Sequence, residues 1–279
     1  MKIFDAISPL RHELSTYKRT HKRIGFVPTM GHLHAGHMSL IELAKVHSKV
    51  VVASLFVNPT QFAPGEDYDA YPRDFARDCE LLQQAGVDVL FHPKVETMYP
   101  PGVVHACQVA VPTLNQDLCG GSRPHFFTAV ATVVAKLFNI VMPDVAVFGE
   151  KDYQQLQVIR HMVTALSFPI DLIAGPTVRA EDGLALSSRN SYLSEEQRRI
   201  APMLQETLRE VIAKLDQGQR DFARLESQAR EALVRAGFGL DYVSIRSRPD
   251  LQLPDFSHKD FIVLGAATLG ETRLIDNAY

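Results

Sequence analysis

Apolar runs rich in β-branched residues alternate with segments of helical period through the first two thirds of this 279-residue chain, and nothing else in it restricts the fold as much. Residues 24–27, 50–57, 87–91, 144–148 and 170–174 read as strands, separated by helices such as 73–85. Strands of this kind, joined through helices, form a parallel sheet covered on both faces. Residues 127–141 are apolar nearly all round, as suits a helix sandwiched in a core; fifteen residues are too few to span a membrane.

The patterning changes after Gly175-Pro176, which places a first domain at 1–176 and a second, α+β domain at 177–279. Ser194 and Gln197 have the spacing of a capping box. A helical stripe follows through Ile200, Met203, Leu204, Leu208, Val211, Ile212 and Leu215, with Pro202 placed to kink its first turns. A second helix is expected over 221–236, ended by Gly237. Residues 241–246, 261–267 and 272–275 then read as a small antiparallel sheet turning at Leu269-Gly270-Glu271.

A net charge of −3 gives no positive field to hold nucleic acid by its phosphates, so no nucleic-acid partner is expected. The three cysteines, Cys79, Cys107 and Cys119, are odd in number and lack Cys-x-x-Cys spacing, which argues against a disulfide framework or a structural zinc site. No long apolar segment marks a leader or a membrane span. The expectation is a cytoplasmic protein with no membrane partner.

The chemistry concentrates in Pro28-Thr-Met-Gly-His-Leu-His-Ala-Gly-His-Met-Ser-Leu40, a turn between a strand and a helix. A helix N-terminus there offers unpaired N–H groups and a positive dipole end, and Gly31 and Gly36 carry no Cβ to hold an anion away from the backbone. His34 and His37 can each donate an N–H to phosphate oxygens. Spacing alone leaves two other readings open: solvated histidines in a polar loop, or a zinc site, although no third His or Cys stands at metal spacing nearby.

Gly149-Glu-Lys-Asp152 follows another strand and precedes a helix, which puts it at the ligand-binding edge of an open sheet. Lys151 near a helix N-terminus opposes the dipole unless an anion binds there, the alternative being a solvated lysine among capping acids. Ser187-Ser188-Arg189 offers two hydroxyls and a fixed cation in a loop, with Val178 ahead of it where backbone groups could meet an adenine edge. A surface turn or helix cap would look the same.

These segments, read together and in order, resemble the pantoate–β-alanine ligase (pantothenate synthetase) family of the nucleotidylyl-transferase superfamily. The turn at 28–40 looks like its His-x-Gly-His motif. Ser54-Leu-Phe-Val-Asn-Pro-Thr-Gln-Phe62, Tyr71-Pro-Arg73, Leu118-Cys-Gly120, Lys136-Leu-Phe-Asn-Ile-Val141, Phe148-Gly-Glu-Lys-Asp-Tyr-Gln-Gln155 and Asp182-Gly-Leu-Ala-Leu-Ser-Ser-Arg-Asn190 extend the likeness over about 24–192. Leu186 stands where relatives commonly carry Met in a loop similar to Lys-Met-Ser-Lys-Ser, a volume-conserving change. A second departure lies at Arg123-Pro-His-Phe-Phe-Thr-Ala-Val130, where Phe126 takes a position usually held by His and Ala129 one usually held by Gly.

The resemblance implies a Rossmann-like doubly wound parallel sheet with a smaller C-terminal α+β domain acting as a lid. It implies ATP-dependent condensation of pantoate with β-alanine, through a pantoyl adenylate, releasing AMP and pyrophosphate. His37, His34 and Lys151 then become catalytic. Met30, Gly31, His34, Gly36, His37, Gly149, Glu150, Lys151, Asp152, Val178, Leu186, Ser187, Ser188 and Arg189 become ATP-binding. Gln61 and Gln155 suit recognition of hydroxyls and a carboxylate without added charge, supported by Asn58, while Met30, Phe56 and Phe62 offer apolar walls for a gem-dimethyl group. Mg²⁺ with unassigned ligands and a homodimer complete the expectation. Competing readings are a nucleotidylyl transferase that forms no amide, an aminoacyl-tRNA synthetase fragment, and a non-catalytic ATP-sensing module.

Overall fold

The computed structural model describes residues 1–102 and 106–279. In chain order it contains β1 (Lys2–Phe4), α1 (Ile7–Arg19), β2 (Ile24–Thr29), α2 (Ala35–His47), β3 (Val50–Leu55), α3 (Phe75–Gln84), β4 (Val89–Phe91), α4 (Val95–Met98), α5 (Pro112–Asn115), α6 (Cys119–Ser122), α7 (Phe126–Val141), β5 (Val145–Gly149), α8 (Tyr153–Ala165) and β6 (Asp171–Gly175). There follow α9 (Glu195–Ile200), α10 (Met203–Asp216), α11 (Phe222–Arg235), β7 (Gly239–Ser247), β8 (Phe261–Leu269) and β9 (Thr272–Ala278). Two compact units emerge: Met1–Glu150 with Val158–Pro176, and Lys151–Gln157 with Thr177–Tyr279. The segment Lys151–Gln157 therefore groups with the second unit, although the sequence reading kept all of 1–176 together.

The first unit is built on a six-stranded parallel sheet in the order β1-β4-β3-β2-β5-β6. Ile24–Thr29 pairs residue for residue with Val50–Leu55. Because side chains alternate along a strand, Val27, Val51, Ala53, Leu90, Val145 and Val147 share one face, where Ile41 and Ala44 of α2 and Leu82 of α3 close over them. Phe148 points the other way and meets Phe138 of α7, ring centres 6.3 Å apart. Both faces are thus covered, which is why the strands read as unbroken apolar runs. The helix expected from its all-round apolar character is α7, with twelve of its sixteen residues buried.

Chain order moves outward from β2 through β3 to β4, then returns to the other side of β2 for β5 and β6. The order switches between β2 and β5, and in open sheets of this kind ligands usually bind at the carboxyl ends of the strands at such a switch. Two details depart from expectation. Met38, Leu40, Ile41, Leu43, Ala44 and Val46 fall at helical spacing in the sequence and would share an apolar face of α2, yet Val46 is 77% exposed and the buried members are Ile41 and Ala44. β1 and α1 lie outside the expected set; β1, at three residues, is too short to show a period.

In the second unit, α10 and α11 lay their apolar faces on the antiparallel sheet β7-β8-β9. Leu204, Leu208, Val211, Leu225, Ala229 and Leu233 pack there against Val243, Ile245, Val263 and Leu274. Gly265 permits the close approach: a Cβ on it would stand 3.1 Å from Leu204 Cδ1 and from Leu208 Cδ2. Pro202 does more than kink the expected helix. It divides it into α9 and α10, because it has no N–H to donate one turn back. Ser194 and Gln197 form the anticipated reciprocal cap on α9, and Gly270 turns the β8–β9 hairpin at φ +58°.

Candidate active site

The turn between β2 and α2 is fixed from three directions. The Thr29 hydroxyl donates to the Ser54 carbonyl at 2.8 Å and accepts the Gly31 N–H at 3.3 Å. Gly31 takes φ +88° and His32 φ +51°, the first easy and the second costly for a residue with a side chain. Asp78 of α3 holds that conformation: its two carboxylate oxygens accept the backbone N–H groups of His32 and Leu33, each at 2.8 Å. Asp78 is 3% exposed, so an internal polar group is fully spent on the backbone of this loop. Nothing in the sequence separates Asp78 from the other charges of its helix.

His34 caps α2, with its Nδ1 accepting the Gly36 N–H at 3.1 Å. His37 reaches back, its Nδ1 accepting the His34 N–H at 3.3 Å. The two rings lie 4.1 Å apart, centre to centre. An imidazole nitrogen that accepts carries no proton, so in the neutral form both residues hold theirs on Nε2. The turn therefore presents two Nε2–H donors together with the N-terminal end of α2, a set suited to an oxyanion.

Gly149 ends β5 and Glu150 follows it, across the switch point from this turn. After β3, at the same sheet edge, come Phe56, Asn58, Gln61 and Phe62. Phe56 is buried, and Phe62 sits edge-on to Tyr68 and Tyr71. Asn58 is 1% exposed and donates through Nδ2 to Gln61 Oε1 at 3.0 Å. Its Oδ1 accepts the Tyr99 hydroxyl at 3.0 Å and the Thr60 hydroxyl at 3.0 Å. Burial pushes the Tyr99 phenol above its ordinary pKa, against the pull of the Thr60 and Asn58 hydrogen bonds. Arg123 pairs with both Glu66 oxygens, at 2.9 and 2.6 Å, and donates to the Gln61 carbonyl at 3.0 Å. Its guanidinium lies 3.9 Å from the Phe126 ring centre, so the aromatic residue that departs from the family pattern stacks on a cation. His125 is exposed at the start of α7.

The remaining candidates belong to the second unit. Lys151 lies in a single 3₁₀ turn, Glu150–Asp152, with its ammonium 3.9 Å from Asp152 and its carbonyl accepting Asn277 Nδ2 at 3.0 Å. Gln155 is half-buried on α8. The Val178 carbonyl accepts the Leu186 N–H at 3.0 Å, which closes the base of the 178–186 loop. Ser187 caps the turn Ser188–Tyr192 by accepting the Arg189 N–H at 3.3 Å. β9 abuts this turn and, through Asn277, also holds Lys151. Arg179 anchors the loop from beneath, donating to both oxygens of Asp276 at 2.8 and 2.9 Å and to the Gly183 carbonyl at 3.0 Å. That pair, 97 residues apart, has no signature in a single sequence.

Among the described residues, no group of three or more His, Cys, Asp or Glu side chains could hold a metal ion, and no helix is long and apolar enough to cross a membrane. The three cysteines form no disulfide.

Several known proteins resemble this chain over nearly its whole length. The family model described as pantoate-β-alanine ligase matches residues 2–279. A pantothenate synthetase of Pseudomonas putida is 53% identical over 279 residues, covering 100% of this chain and 97% of that protein. One from Pseudomonas fluorescens is 51% identical, covering 100% and 99%. The crystal structure of pantothenate synthetase from Thermus thermophilus superposes with a TM-score of 0.93 at 46% identity, covering 100% of this chain and 99% of that one. Pantoate-β-alanine ligase from Francisella tularensis, complexed with beta-gamma ATP and β-alanine, superposes with a TM-score of 0.80 at 36% identity, covering 100% and 97%. A doubly wound sheet with a paired-histidine cap at its switch point, matched over its whole length by enzymes of one kind, leaves a single assignment: the chain belongs to the pantoate–β-alanine ligase family.

Proposed function

We propose that this ligase forms its amide in two steps at the carboxyl edge of the six-stranded sheet, with His34 and His37 serving the first. Ligation of pantoate to β-alanine, with ATP as substrate, comes with family membership. The observation that supports the histidine assignment is the reciprocal cap, which commits both Nδ1 atoms as acceptors and so turns both imidazoles into Nε2–H donors.

In the first step, a carboxylate oxygen of pantoate bonds to the α-phosphorus of ATP while the bond from that phosphorus to pyrophosphate breaks. A free carboxylate, with a pKa of about 4, is already ionised near neutrality, so no general base is needed. Positioning and charge stabilisation carry the step. His37 donates to the departing pyrophosphate and His34 to the adjoining phosphate oxygens. Gly31 and Gly36, having no Cβ, let phosphate approach the backbone, with Met30, Gly149, Glu150 and Asp152 completing the nucleotide contacts. On the sequence motifs, Lys151, Ser187, Ser188 and Arg189 are also phosphate ligands, and Val178 and Leu186 adenine contacts. Gln61 and Gln155 bind pantoate, whose dimethyl group rests on Met30, Phe56 and Phe62.

In the second step, the neutral amine of β-alanine attacks the pantoyl carbonyl. A C–N bond forms, the C–O bond to AMP breaks, and the nitrogen loses a proton. The mixed anhydride must be kept from water until then, the role given to 177–279 as a lid. With no protein-only cage among the described residues, Mg²⁺ would arrive on the triphosphate oxygens and supply charge neutralisation there. The enzyme works in the cytoplasm as a homodimer in this reading. AMP release from ATP, pantoate and Mg²⁺, measured with and without β-alanine, tests the two-step course. AMP formed at full rate without β-alanine and without hydroxamate trapping by hydroxylamine would refute it.

A further inference from the structure

The hydrogen bonds behind Gln61 run in one direction only. The Thr60 backbone N–H, which can only donate, reaches Asn58 Oδ1 at 3.4 Å, and this sets which end of the Asn58 amide is oxygen. The other end, Nδ2, is then a donor, and it faces Gln61 at 3.0 Å, so the Gln61 atom it meets must be Oε1. Gln61 is left with its NH₂ turned away from Asn58. The buried origin of the chain is Tyr99, 5% exposed, whose ring centre lies 6.2 Å from that of Phe56 and whose O–H donates to Asn58 Oδ1 at 3.0 Å. A phenol in that position stays protonated through neutral pH, as its burial requires. The Lys136 ammonium lies 5.5 Å from the centre of the same ring.

We propose that Tyr99 is a positioning residue for the acid substrate: acting through Asn58, its O–H holds the Gln61 amide with its N–H groups toward pantoate. This rests on the reading that Gln61 contacts pantoate. It adds that Gln61 acts as a donor, so the substrate atom it meets is an accepting oxygen, and that an acid lacking an acceptor at that point is discriminated against.

A double-mutant cycle tests the inference, using steady-state kinetics of the full-length enzyme with pantoate, ATP and β-alanine varied in turn. Tyr99→Phe keeps the ring and removes only the donor. It is expected to raise KM for pantoate about three- to tenfold, the effect of one neutral hydrogen bond, with kcat and the KM values for ATP and β-alanine within about twofold of wild type. In a Gln61→Ala background the same change is expected to add nothing. Asn58→Asp removes the donor to Gln61 while still accepting from Tyr99, and is expected to raise KM for pantoate at least as far; thermal melting of each variant reports folding separately. An unchanged pantoate KM in Tyr99→Phe or in Asn58→Asp, or an equal increment from Tyr99→Phe in both backgrounds, would overturn the proposal. Should Gln61→Ala itself leave the pantoate KM unchanged, the underlying assignment of Gln61 fails instead.

Discussion

The backbone N–H of His34 is bonded to Nδ1 of His37, so the residue that caps α2 is itself capped by the second histidine of the turn. One side chain thus does two jobs through two nitrogens: Nδ1 secures the helix start and Nε2 carries the proton. The jobs can be separated. His37→Asn places an amide oxygen near the Nδ1 position but has nothing where Nε2–H was. It is expected to lower kcat by about 10²-fold or more while leaving Tm near wild type, because a lost transition-state donor costs that much. His37→Ala is expected to lose kcat similarly and about 1 kcal/mol of stability with the cap. Paired kinetic and melting measurements check both, and a wild-type kcat in His37→Asn would remove His37 from the chemistry.

Asp78 gives both carboxylate oxygens to the His32 and Leu33 N–H groups. Asp78→Ala leaves one buried and one part-buried donor without an acceptor, with an expected cost of about 2–4 kcal/mol. The consequence should reach the substrate, because His32 sits at φ +51° beside these two hydrogen bonds, and without them the turn that leads into His34 is less restrained. Urea unfolding should show the loss and ATP titration a raised KM. Normal ATP use in a clearly destabilised variant would show that the turn keeps its shape without Asp78.

Arg179 and Asp276 form a bidentate pair in which the Asp276 side chain is only 3% exposed. Removing one member of such a pair strands the other: Asp276→Ala is expected to destabilise the protein by about 3–5 kcal/mol. Replacing both, Arg179→Met with Asp276→Leu, should recover most of that stability while leaving the 178–186 loop less restrained. Chemical denaturation of the two variants measures the difference, and equal losses would mean that buried charge is not the cause.

Asp182 is held below its ordinary pKa, first by hydrogen bonding to Arg198 and then by the Leu184 N–H. A carboxylate with a depressed folded-state pKa stabilises the fold above its unfolded value, near 3.8, and loses that contribution as pH falls through the folded value. The pair is exposed, so the effect should be small and reduced by salt. Melting curves of wild type and Asp182→Asn should therefore differ above about pH 4 and converge below it. A difference that widened on acidification would contradict the sign.

Much of the architecture is written in local pattern. The unbroken apolar strands, the all-round apolar α7, the Ser194–Gln197 cap and the Gly270 hairpin each depend on neighbours within a few residues, and short-range chemistry is what a sequence displays. Pro202 shows where that reading stops: its position announces a disturbed helix, but only the folded chain shows that the missing N–H ends α9 and starts α10 anew. Val46 shows the same in reverse, being apolar, correctly phased and yet exposed.

The alternating parallel fold, the family and the turn that carries His34 and His37 are legible in the chain alone, because glycine conformations, helix starts and hydrophobic periods are local properties. Which groups fix the orientation of that chemistry emerges from the folded packing instead. Asp78 behind the histidine turn, Tyr99 behind Asn58, and Asp276 beneath Arg179 each act on residues 41 to 97 positions away. Chain separation carries no information about such distances. A hydrogen bond is satisfied by geometry in space, and only the packing of the sheets and helices sets it.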